Sequence, residues 1–298
     1  MLTEDDKADR MSLRLLFEKR QIRDETKEGF FYFENQSLMI AESQETYVVM
    51  AGDMAIGFPL FMYGESDFSK FIKATTLLSK VKNKKLDVLW DVGANIGSIC
   101  IPAVKRQFVK KAIAFEPERT LFKLLRTNAI LNDVDNRIAC YHTALGDFKG
   151  SVDLTMGEGN TGDYRIAGRL LEDDSMGESF RRIETVDIRP MNDFVDLFEA
   201  NSTLIFMDIQ GYEGLALKGA DKIISTAPPL VVEFWPYAMK RLDTYELLRD
   251  IVSSGLYREY ADLSEDNGQF RAVSAGALDA LYETIGESQN ASTDLVFV

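Results

Sequence analysis

The sequence predicts an α/β fold with a mostly parallel sheet, and two observations point to this class. Short apolar runs with almost no polar interruption, such as residues 86–90, 203–207 and 230–234, are typical of strands that are buried on both faces. Stretches with apolar residues at helical spacing separate these runs, and strands that alternate with helices favour parallel pairing. The 298 residues are enough for one large domain of this class with an extension.

Residues 1–80 are predicted to form an N-terminal extension with a helix and short strands. Residues 7–24 are charged and carry apolar side chains at helical spacing, which predicts an amphipathic helix. Residues 29–63 alternate apolar and polar residues between glycines, which is typical of short strands and turns. The regular alternation of strands and helices begins later, so residues 81–298 are expected to form the main domain.

The apolar runs of the main domain predict its strands and, between them, its helices. Strands are expected, in chain order, at residues 86–90, 112–115, 138–145, 203–207, 230–234 and 294–298, and helices at 98–107, 118–132 and 245–253. Ligands of such sheets bind at the carboxyl ends of the strands, near the point where the strand order reverses. The polar residues that end four of these runs are therefore candidate site residues: Asp91, Glu116, Asp208 and Glu233.

A glycine turn, Asp91-Val92-Gly93-Ala94-Asn95-Ile96-Gly97, follows the first strand of the main domain. Gly93 and Gly97 let the backbone bend sharply and approach a ligand without a Cβ between them. The next helix offers its free N–H groups to a carboxylate. The spacing matches neither the dinucleotide fingerprint nor a phosphate-binding P-loop. The turn therefore suits a ligand with an amino acid end, and the alternative is an ordinary strand-to-helix turn.

Glu116 ends the second strand, about 20 residues after the glycine turn, where nucleotide-binding folds place an acid that binds ribose. A carboxylate at this position can accept from both ribose hydroxyls. The alternative is a surface glutamate that caps the next helix, since Pro117 suits a first helical position.

Several blocks of the chain together resemble the FkbM-type methyltransferases, in order and in spacing, over about residues 58–240. The blocks are Asp91 to Gly97, Ala114-Phe115-Glu116-Pro117, Leu124 with Asn128 and Leu131-Asn132, Ala144-Leu145-Gly146-Asp147, Thr185-Val186-Asp187, and Met207-Asp208-Ile209-Gln210-Gly211-Tyr212-Glu213. The resemblance implies a Rossmann-like class I methyltransferase sheet, mostly parallel with a C-terminal antiparallel strand. It also implies S-adenosylmethionine as cofactor and O-methylation of a hydroxyl on a sugar or natural product. The cofactor residues that it implies are Asp91, Gly93, Asn95, Gly97 and Glu116. Ala144 and Asp208 are further candidates for contact with the cofactor.

One block departs from the family pattern. The family usually reads Asp-Val-Glu-Gly after the fourth strand, whereas this chain has Asp208-Ile209-Gln210-Gly211. Gln210 keeps the ability to form hydrogen bonds but lacks the charge, so a metal ligand at this position is in doubt and no metal site is expected. The change also leaves open a binding protein of methyltransferase ancestry that no longer catalyses transfer.

Methyl transfer to a hydroxyl benefits from a general base, because a sugar hydroxyl is a poor nucleophile. Asp208 is the leading catalytic candidate and Glu233 the second, since both end strands on the ligand side. Asp208 could instead order the next loop, and Glu213 is better suited to capping a helix. His142, the single histidine, could serve as a base but is expected to be a core or surface residue.

Composition and charge limit the kinds of partner that the protein is expected to bind. The net charge of −14 repels phosphate backbones, so the expected acceptor is a small molecule or glycan and not a nucleic acid. No apolar run is long enough for a membrane span, and the acidic N-terminus does not read as a secretory signal, so a cytoplasmic protein is expected. Two cysteines are too few for a disulfide framework or a zinc cluster. A NAD-dependent oxidoreductase is disfavoured by the glycine spacing.

Residues 150–182 are rich in glycine and acids and show little strand pattern beyond 152–155. Long insertions of this kind are often functional loops, so we expect the segment to close over the acceptor. The alternative is a surface excursion without a role.

Overall fold

The computed structural model describes residues 37–169, 177–265 and 268–298. The helix that the sequence predicts at residues 7–24 lies outside these ranges. The boundary expected at residue 80 stays a prediction.

The main sheet has eight strands in the order β13-β12-β14-β11-β10-β3-β4-β5. Five of them, from β11 to β5, are parallel, and β14 runs antiparallel between β11 and β12. This is the predicted α/β class, including the C-terminal antiparallel strand. The strands are β3 (Val88–Val92), β4 (Lys111–Phe115), β5 (Ile138–Tyr141), β10 (Thr203–Met207), β11 (Leu230–Phe234), β12 (Glu259–Asp262), β13 (Arg271–Ala272) and β14 (Thr293–Phe297).

Alternate residues of the central strands face two separate cores, which explains the uninterrupted apolar runs. In β10, Leu204 and Phe206 pack in one core, whereas Ile205 and Met207 pack in the other. Helices cover both faces. They are α1 (Gly57–Tyr63), α2 (Phe68–Thr76), α3 (Cys100–Lys105), α4 (Arg119–Leu131), α5 (Glu213–Lys218), α6 (Asp221–Ile224), α7 (Pro236–Leu242), α8 (Tyr245–Val252) and α9 (Ala275–Ile285), with a π-helical turn at Leu77–Val81.

The single strand expected at residues 138–145 is wrong, because the chain divides this run between two sheets. β5 ends at Tyr141, and β6 (Ala144–Gly146) pairs with β9 (Arg182–Pro190) in a second sheet. Thr143 turns the chain between them: its N–H donates to Tyr141 O, and its hydroxyl donates to Asp187 O of β9 at 3.2 Å.

The second sheet has the order β6-β9-β7-β8, with β7 (Gly150–Met156) and β8 (Arg165–Ile166). The segment expected to be mostly loop therefore contributes two strands and the beginning of β9. β7 pairs antiparallel with β9 over seven residue pairs, in which Val152 lies opposite Val186 and Leu154 opposite Glu184. Short 3₁₀ turns complete this region, at Thr161–Asp163, Glu178–Phe180 and Met191–Leu197.

A hairpin of β1 (Leu38–Glu42) and β2 (Thr46–Met50) packs on α4 through two buried asparagines. Asn128 accepts from Val48 N at 2.7 Å and donates to Ile96 O at 3.0 Å, so one side chain joins β2 to the glycine turn. Asn132 accepts from Thr46 N at 3.0 Å. These bonds satisfy backbone groups of an otherwise edge-exposed strand.

Candidate functional site

A cleft opens at the carboxyl ends of β3, β4 and β10. This is the place where open α/β sheets bind ligands. The second sheet forms its opposite wall. The lining residues are Val92, Gly93, Asn95, Phe115, Glu116, Pro117, Leu121, Thr143, Ala144, Leu145, Leu154, Thr161, Gly162, Tyr164, Arg165, Ile166, Asp208, Ile209 and Gln210.

The glycine turn occupies the gap between the ends of β4 and β10. Gly93 has φ +87°, and a Cβ at this position would lie 2.0 Å from Asp208 O. The N–H groups of Gly93 and Ala94 both donate to Phe115 O, at 3.1 and 3.0 Å. The backbone of the turn therefore passes so close to β10 that only glycine fits at position 93.

Asn95 connects the turn to two other walls of the cleft. Its backbone is left-handed, with φ +51°. Its N–H donates to Glu116 Oε2 at 2.9 Å, and its side-chain amide donates to Thr161 O at 2.9 Å. Asn95 thereby holds the end of β4 and the insertion after β7 against the glycine turn.

Glu116 is buried and accepts two backbone hydrogen bonds. Its Oε1 accepts from Glu118 N at 2.7 Å, and its Oε2 accepts from Asn95 N. Burial raises the pKa of Glu116 to about 8, while the two N–H groups act in the opposite direction. A carboxylate has about four acceptor positions, so roughly two remain for a ligand in the cleft.

Asp91 and Gly97 belong to the same turn but do not line the cleft. Asp91 Oδ2 accepts from Cys100 N at 3.1 Å at the start of α3, and burial raises the pKa of this carboxyl to about 7. Gly97 has φ +93°, and a Cβ there would lie 2.5 Å from Ile101 Cδ1. Asp91 and Gly97 therefore support the turn from the side that faces away from the cleft. Their contact with a cofactor stays a prediction.

Two carboxylates, the half-buried Asp208 and the buried Glu233, are held together by one amide. Gln210 Nε2 donates to Asp208 Oδ1 at 2.7 Å and to Glu233 Oε2 at 2.8 Å. Burial raises the pKa of both carboxyls, that of Glu233 well above its usual range, and the Lys70 ammonium opposes this. Lys70 itself pairs with Asp294 at 3.1 Å. Gln210 therefore satisfies both acids with a neutral donor, where a glutamate would add a third charge.

The other two candidate residues, Glu213 and His142, lie apart from this pair of carboxylates. Glu213 is fully buried, and its Oε1 accepts from Ile209 N at 3.0 Å, so it orders the turn before α5. His142 is exposed and stacks on Phe122 with ring centroids 4.7 Å apart, which is a surface position.

The sequence reasoning missed Tyr164 and Arg165, which reach the cleft from the second sheet. Arg165 lies on β8, a strand of only two residues, and no pattern in the sequence indicates that it folds back over the glycine turn. Within the predicted lid, Leu154 and residues 161–162 and 164–166 line the cleft, while closure of the segment over an acceptor stays a prediction.

The described ranges contain no group of three His, Cys, Asp or Glu side chains that could hold a metal ion. Among the helices within these ranges, none has the length and apolar character needed to cross a membrane.

The strand order and the cleft at the ends of β3, β4 and β10 define a class I methyltransferase fold. The FkbM methyltransferase domain matches residues 91–262, more than half of the chain. The chain therefore belongs to the FkbM methyltransferase family, as the sequence blocks predict, and its cofactor is S-adenosylmethionine.

Solved structures of similar fold are distant in sequence. TYW2 of M. jannaschii in complex with AdoMet is 10% identical, with 89% of this chain and 86% of that chain covered and a TM-score of 0.41. An RNA methyltransferase from Salinibacter ruber in complex with S-adenosyl-L-homocysteine is 14% identical, with coverages of 54% and 73% and a TM-score of 0.28. A precorrin-6y C5,15-methyltransferase from Geobacter metallireducens is 11% identical, with coverages of 77% and 86% and a TM-score of 0.37. A comparison with curated protein sequences gives no significant match.

Proposed function

We propose that this protein transfers the methyl group of S-adenosylmethionine to a hydroxyl of a sugar or natural product. The observation that carries the proposal is the bond from Asn95 N to Glu116 Oε2, 2.9 Å long, on the wall of the cleft. It brings the glycine turn and the acid of β4 to one cavity, which suits a ligand that has both an amino acid end and a ribose. When bound, the cofactor supplies a methyl group on positively charged sulfur.

The residues in the cleft fit such a cofactor. Gly93 lines the cleft without a side chain, and its backbone lies against Asp208 where a Cβ would not fit. Glu116 has acceptor positions left for ribose hydroxyls after its two backbone bonds. Ala144 lines the cleft from β6 with a small side chain. In this proposal Gly93, Asn95, Glu116, Ala144 and Asp208 contact the cofactor, and Asp91 and Gly97 shape the turn.

Asp208 is the proposed general base. It lines the cleft at the end of β10, and burial raises the pKa of its carboxyl, which makes it a stronger proton acceptor than a solvated aspartate. The amide of Gln210 fixes its orientation through the 2.7 Å bond to Oδ1. Glu233 shares this amide and does not line the cleft, so its proposed part is to hold Asp208 and Gln210 in place.

Binding of the cofactor is tested by isothermal titration of S-adenosylmethionine into the wild type and Glu116→Ala. We expect the dissociation constant to rise by roughly 10- to 100-fold, because the ribose hydroxyls lose their acceptor. The matched control is Glu118→Ala. Glu118 is also buried, caps α4 by accepting from Leu121 N at 2.6 Å, and does not line the cleft. Wild-type affinity in Glu116→Ala, or an equal loss in Glu118→Ala, would contradict the assigned position of the ribose.

Methyl transfer is tested with radiolabelled cofactor against a panel of sugars, hydroxylated metabolites, amines and transfer RNA. The proposal expects label only on hydroxyl acceptors, and Asp208→Asn is expected to lose most of the turnover at saturating cofactor. The net charge of −14 supports a small-molecule or glycan acceptor over nucleic acid. Label on RNA or on amines alone would overturn the O-methylation proposal. A chain that binds the cofactor and labels no member of the panel would support a binding protein.

A further inference from the structure

Asp208 and Glu233 occupy equivalent positions at the ends of two neighbouring strands. β10 and β11 pair in parallel, and Met207 lies beside Val232 at the end of the pairing. Asp208 follows Met207 directly, and Glu233 follows Val232. Side chains of directly neighbouring residues in a sheet point to the same face. The strand register therefore brings the two carboxyls close together.

One amide nitrogen limits the distance between the two carboxyls. Gln210 Nε2 donates to Asp208 Oδ1 at 2.7 Å and to Glu233 Oε2 at 2.8 Å. These two oxygens therefore cannot be farther apart than the two bond lengths together. A side-chain amide has two hydrogens to donate and carries no charge. Gln210 thus holds both carboxyls in place but balances the charge of neither.

Glu233 is surrounded by further acids. The nearby acids are Asp208 on β10, Asp294 on β14 and Glu213 on α5, and Asp294 lies opposite Glu233 in the strand pairing. Burial raises the pKa of Glu233 most, and these three acids raise it further. The Lys70 ammonium on α2 acts in the opposite direction, but it is paired with Asp294 at 3.1 Å. The surroundings of Glu233 therefore favour its neutral form.

Of the two carboxyls held by Gln210, Glu233 is the one that holds a proton more readily. Glu233 is 8% exposed, whereas Asp208 is half-buried and lines the cleft. Two ionised carboxyls in one site repel each other, and a proton on one of them replaces this repulsion by a hydrogen bond. Burial raises the pKa of Asp208, and a hydrogen bond from Glu233 is among the contacts that act in the opposite direction.

We propose that Glu233 keeps its proton at neutral pH and donates it in a hydrogen bond to Asp208, so that the pair carries a single negative charge. That charge lies on Asp208, the member that lines the cleft. Glu233 is then a positioning residue, because its O–H orients the proposed base and stabilises its charge. This inference rests on the proposed function, since it concerns the proposed base. The protonation of the pair is measured without cofactor or acceptor, so the two proposals can fail separately.

The protonation of Glu233 is measured by ¹³C NMR on the full chain, labelled at the side-chain carboxyl carbon of glutamate. The signal that disappears in Glu233→Gln belongs to Glu233. We expect this signal to have the chemical shift of a protonated carboxyl at pH 7, where solvated glutamates are ionised. A carboxylate shift at this pH would overturn the proposal.

The second measurement follows the ionisation of Asp208, with aspartate labelled at its carboxyl carbon and the signal assigned by Asp208→Asn. Glu233→Gln replaces the O–H donor by an N–H donor, so the ionisation constant of Asp208 is expected to stay close to that of wild type. Glu233→Leu removes the donor and should lower this constant by roughly 10- to 100-fold, the share of a hydrogen bond to a charged group. If Glu233 were ionised, both substitutions would remove a negative neighbour and raise the constant instead.

Asp67→Asn is the matched control, because it removes a carboxylate whose charge acts on Asp208. Asp67 adds to the effect of burial on the pKa of Asp208, and it pairs with Lys70 at 3.2 Å. The Asp67 side chain is 44% exposed, and its backbone φ of +58° is one that asparagine tolerates. We expect Asp67→Asn to raise the ionisation constant of Asp208, which gives the response to the loss of a charged neighbour.

The comparison of Glu233→Gln with this control decides the proposal. A rise in the ionisation constant of Asp208 in both variants would overturn it, since Glu233 would then be charged. A Glu233→Gln that fails to fold would also overturn it, because the amide can form the hydrogen bonds of the neutral acid. If Glu233→Leu does not fold, the wild-type glutamate signal and Glu233→Gln decide the matter. Circular dichroism verifies that each variant is folded.

Discussion

Adding a single methyl group at Gly93 tests the geometry of the cleft most directly. Gly93→Ala places a Cβ 2.0 Å from Asp208 O, whereas real Cβ atoms stay beyond 3.0 Å of other atoms, so the two backbones must separate by about 1 Å. A left-handed φ costs a residue with a Cβ about 1–2 kcal/mol. Forcing the overlap apart adds about 1–3 kcal/mol. The expected loss of unfolding free energy is therefore about 2–5 kcal/mol.

Gly255→Ala separates the two contributions. Gly255 has φ +98°, close to the +87° of Gly93, but a Cβ there would meet nothing within 4 Å. Gly255→Ala therefore has the conformational cost of a left-handed φ, about 1–2 kcal/mol, without a steric overlap of the added Cβ. Urea denaturation of both variants gives the difference, which we expect to be about 1–3 kcal/mol in favour of Gly255→Ala.

Cofactor affinity completes the test. The displaced carbonyl belongs to Asp208, so Gly93→Ala is expected to weaken S-adenosylmethionine binding and to slow transfer by about 100-fold, the usual effect of misplacing a reacting group by 1 Å. Gly255→Ala should match the wild type in both measurements. Equal destabilisation by the two substitutions, or wild-type cofactor affinity in Gly93→Ala, would refute the close approach of the glycine turn to β10.

Three further outcomes are expected. Burial raises the pKa of Glu213 to about 8, so its carboxyl keeps its proton in the folded state while the unfolded chain releases it above about 4.5. Stability contributed by this group is therefore present at low pH and lost as the pH rises to 8, and wild type should lose about 2–3 kcal/mol more than Glu213→Gln between pH 5.5 and 7.5 in chemical denaturation. A parallel pH dependence in both proteins would show that Glu213 does not titrate there. Gln210→Glu replaces the amide shared by Asp208 and Glu233 with a third carboxylate. We expect the free energy of unfolding, measured by chemical denaturation at pH 8, to fall by about 3 kcal/mol. An unchanged free energy of unfolding would mean that this amide does not hold the two acids. Asn128→Ala removes three buried hydrogen bonds to Val48 and Ile96 and should lower the unfolding free energy by about 3 kcal/mol, whereas a change below 1 kcal/mol would contradict its bridging part.

The strand ends could be predicted because a pattern of neighbouring residues in the sequence marks each of them. A buried parallel strand is a short apolar run, and the residue that ends it lies at the ligand edge of the sheet. That reasoning brings Asp91, Glu116, Asp208 and Glu233 to one edge, and the structure places Glu116 and Asp208 on the same cleft.

Two features were not predictable from local pattern. The run 138–145 is apolar except for His142 and Thr143, and nothing in it marks the turn at Thr143, which depends on a bond to Asp187 far along the chain. Arg165 reaches the cleft because β8 pairs with β7, and a two-residue strand carries no periodicity. Its pairing with Glu178 and the stacking over Trp235 are tertiary contacts.

The position of β14 has a consequence for the order in which the chain can fold. β12 and β13 precede β14 in the chain but join the sheet only through it, since β12 pairs with β14 and not with β11. A growing polypeptide therefore has no template for these two strands until β14 has been synthesised, because strand pairing over long separations must wait for loop closure. Until then the edge of β11, with Glu233 at its end, is open to incorrect partners, and this side of the sheet is completed only by β14.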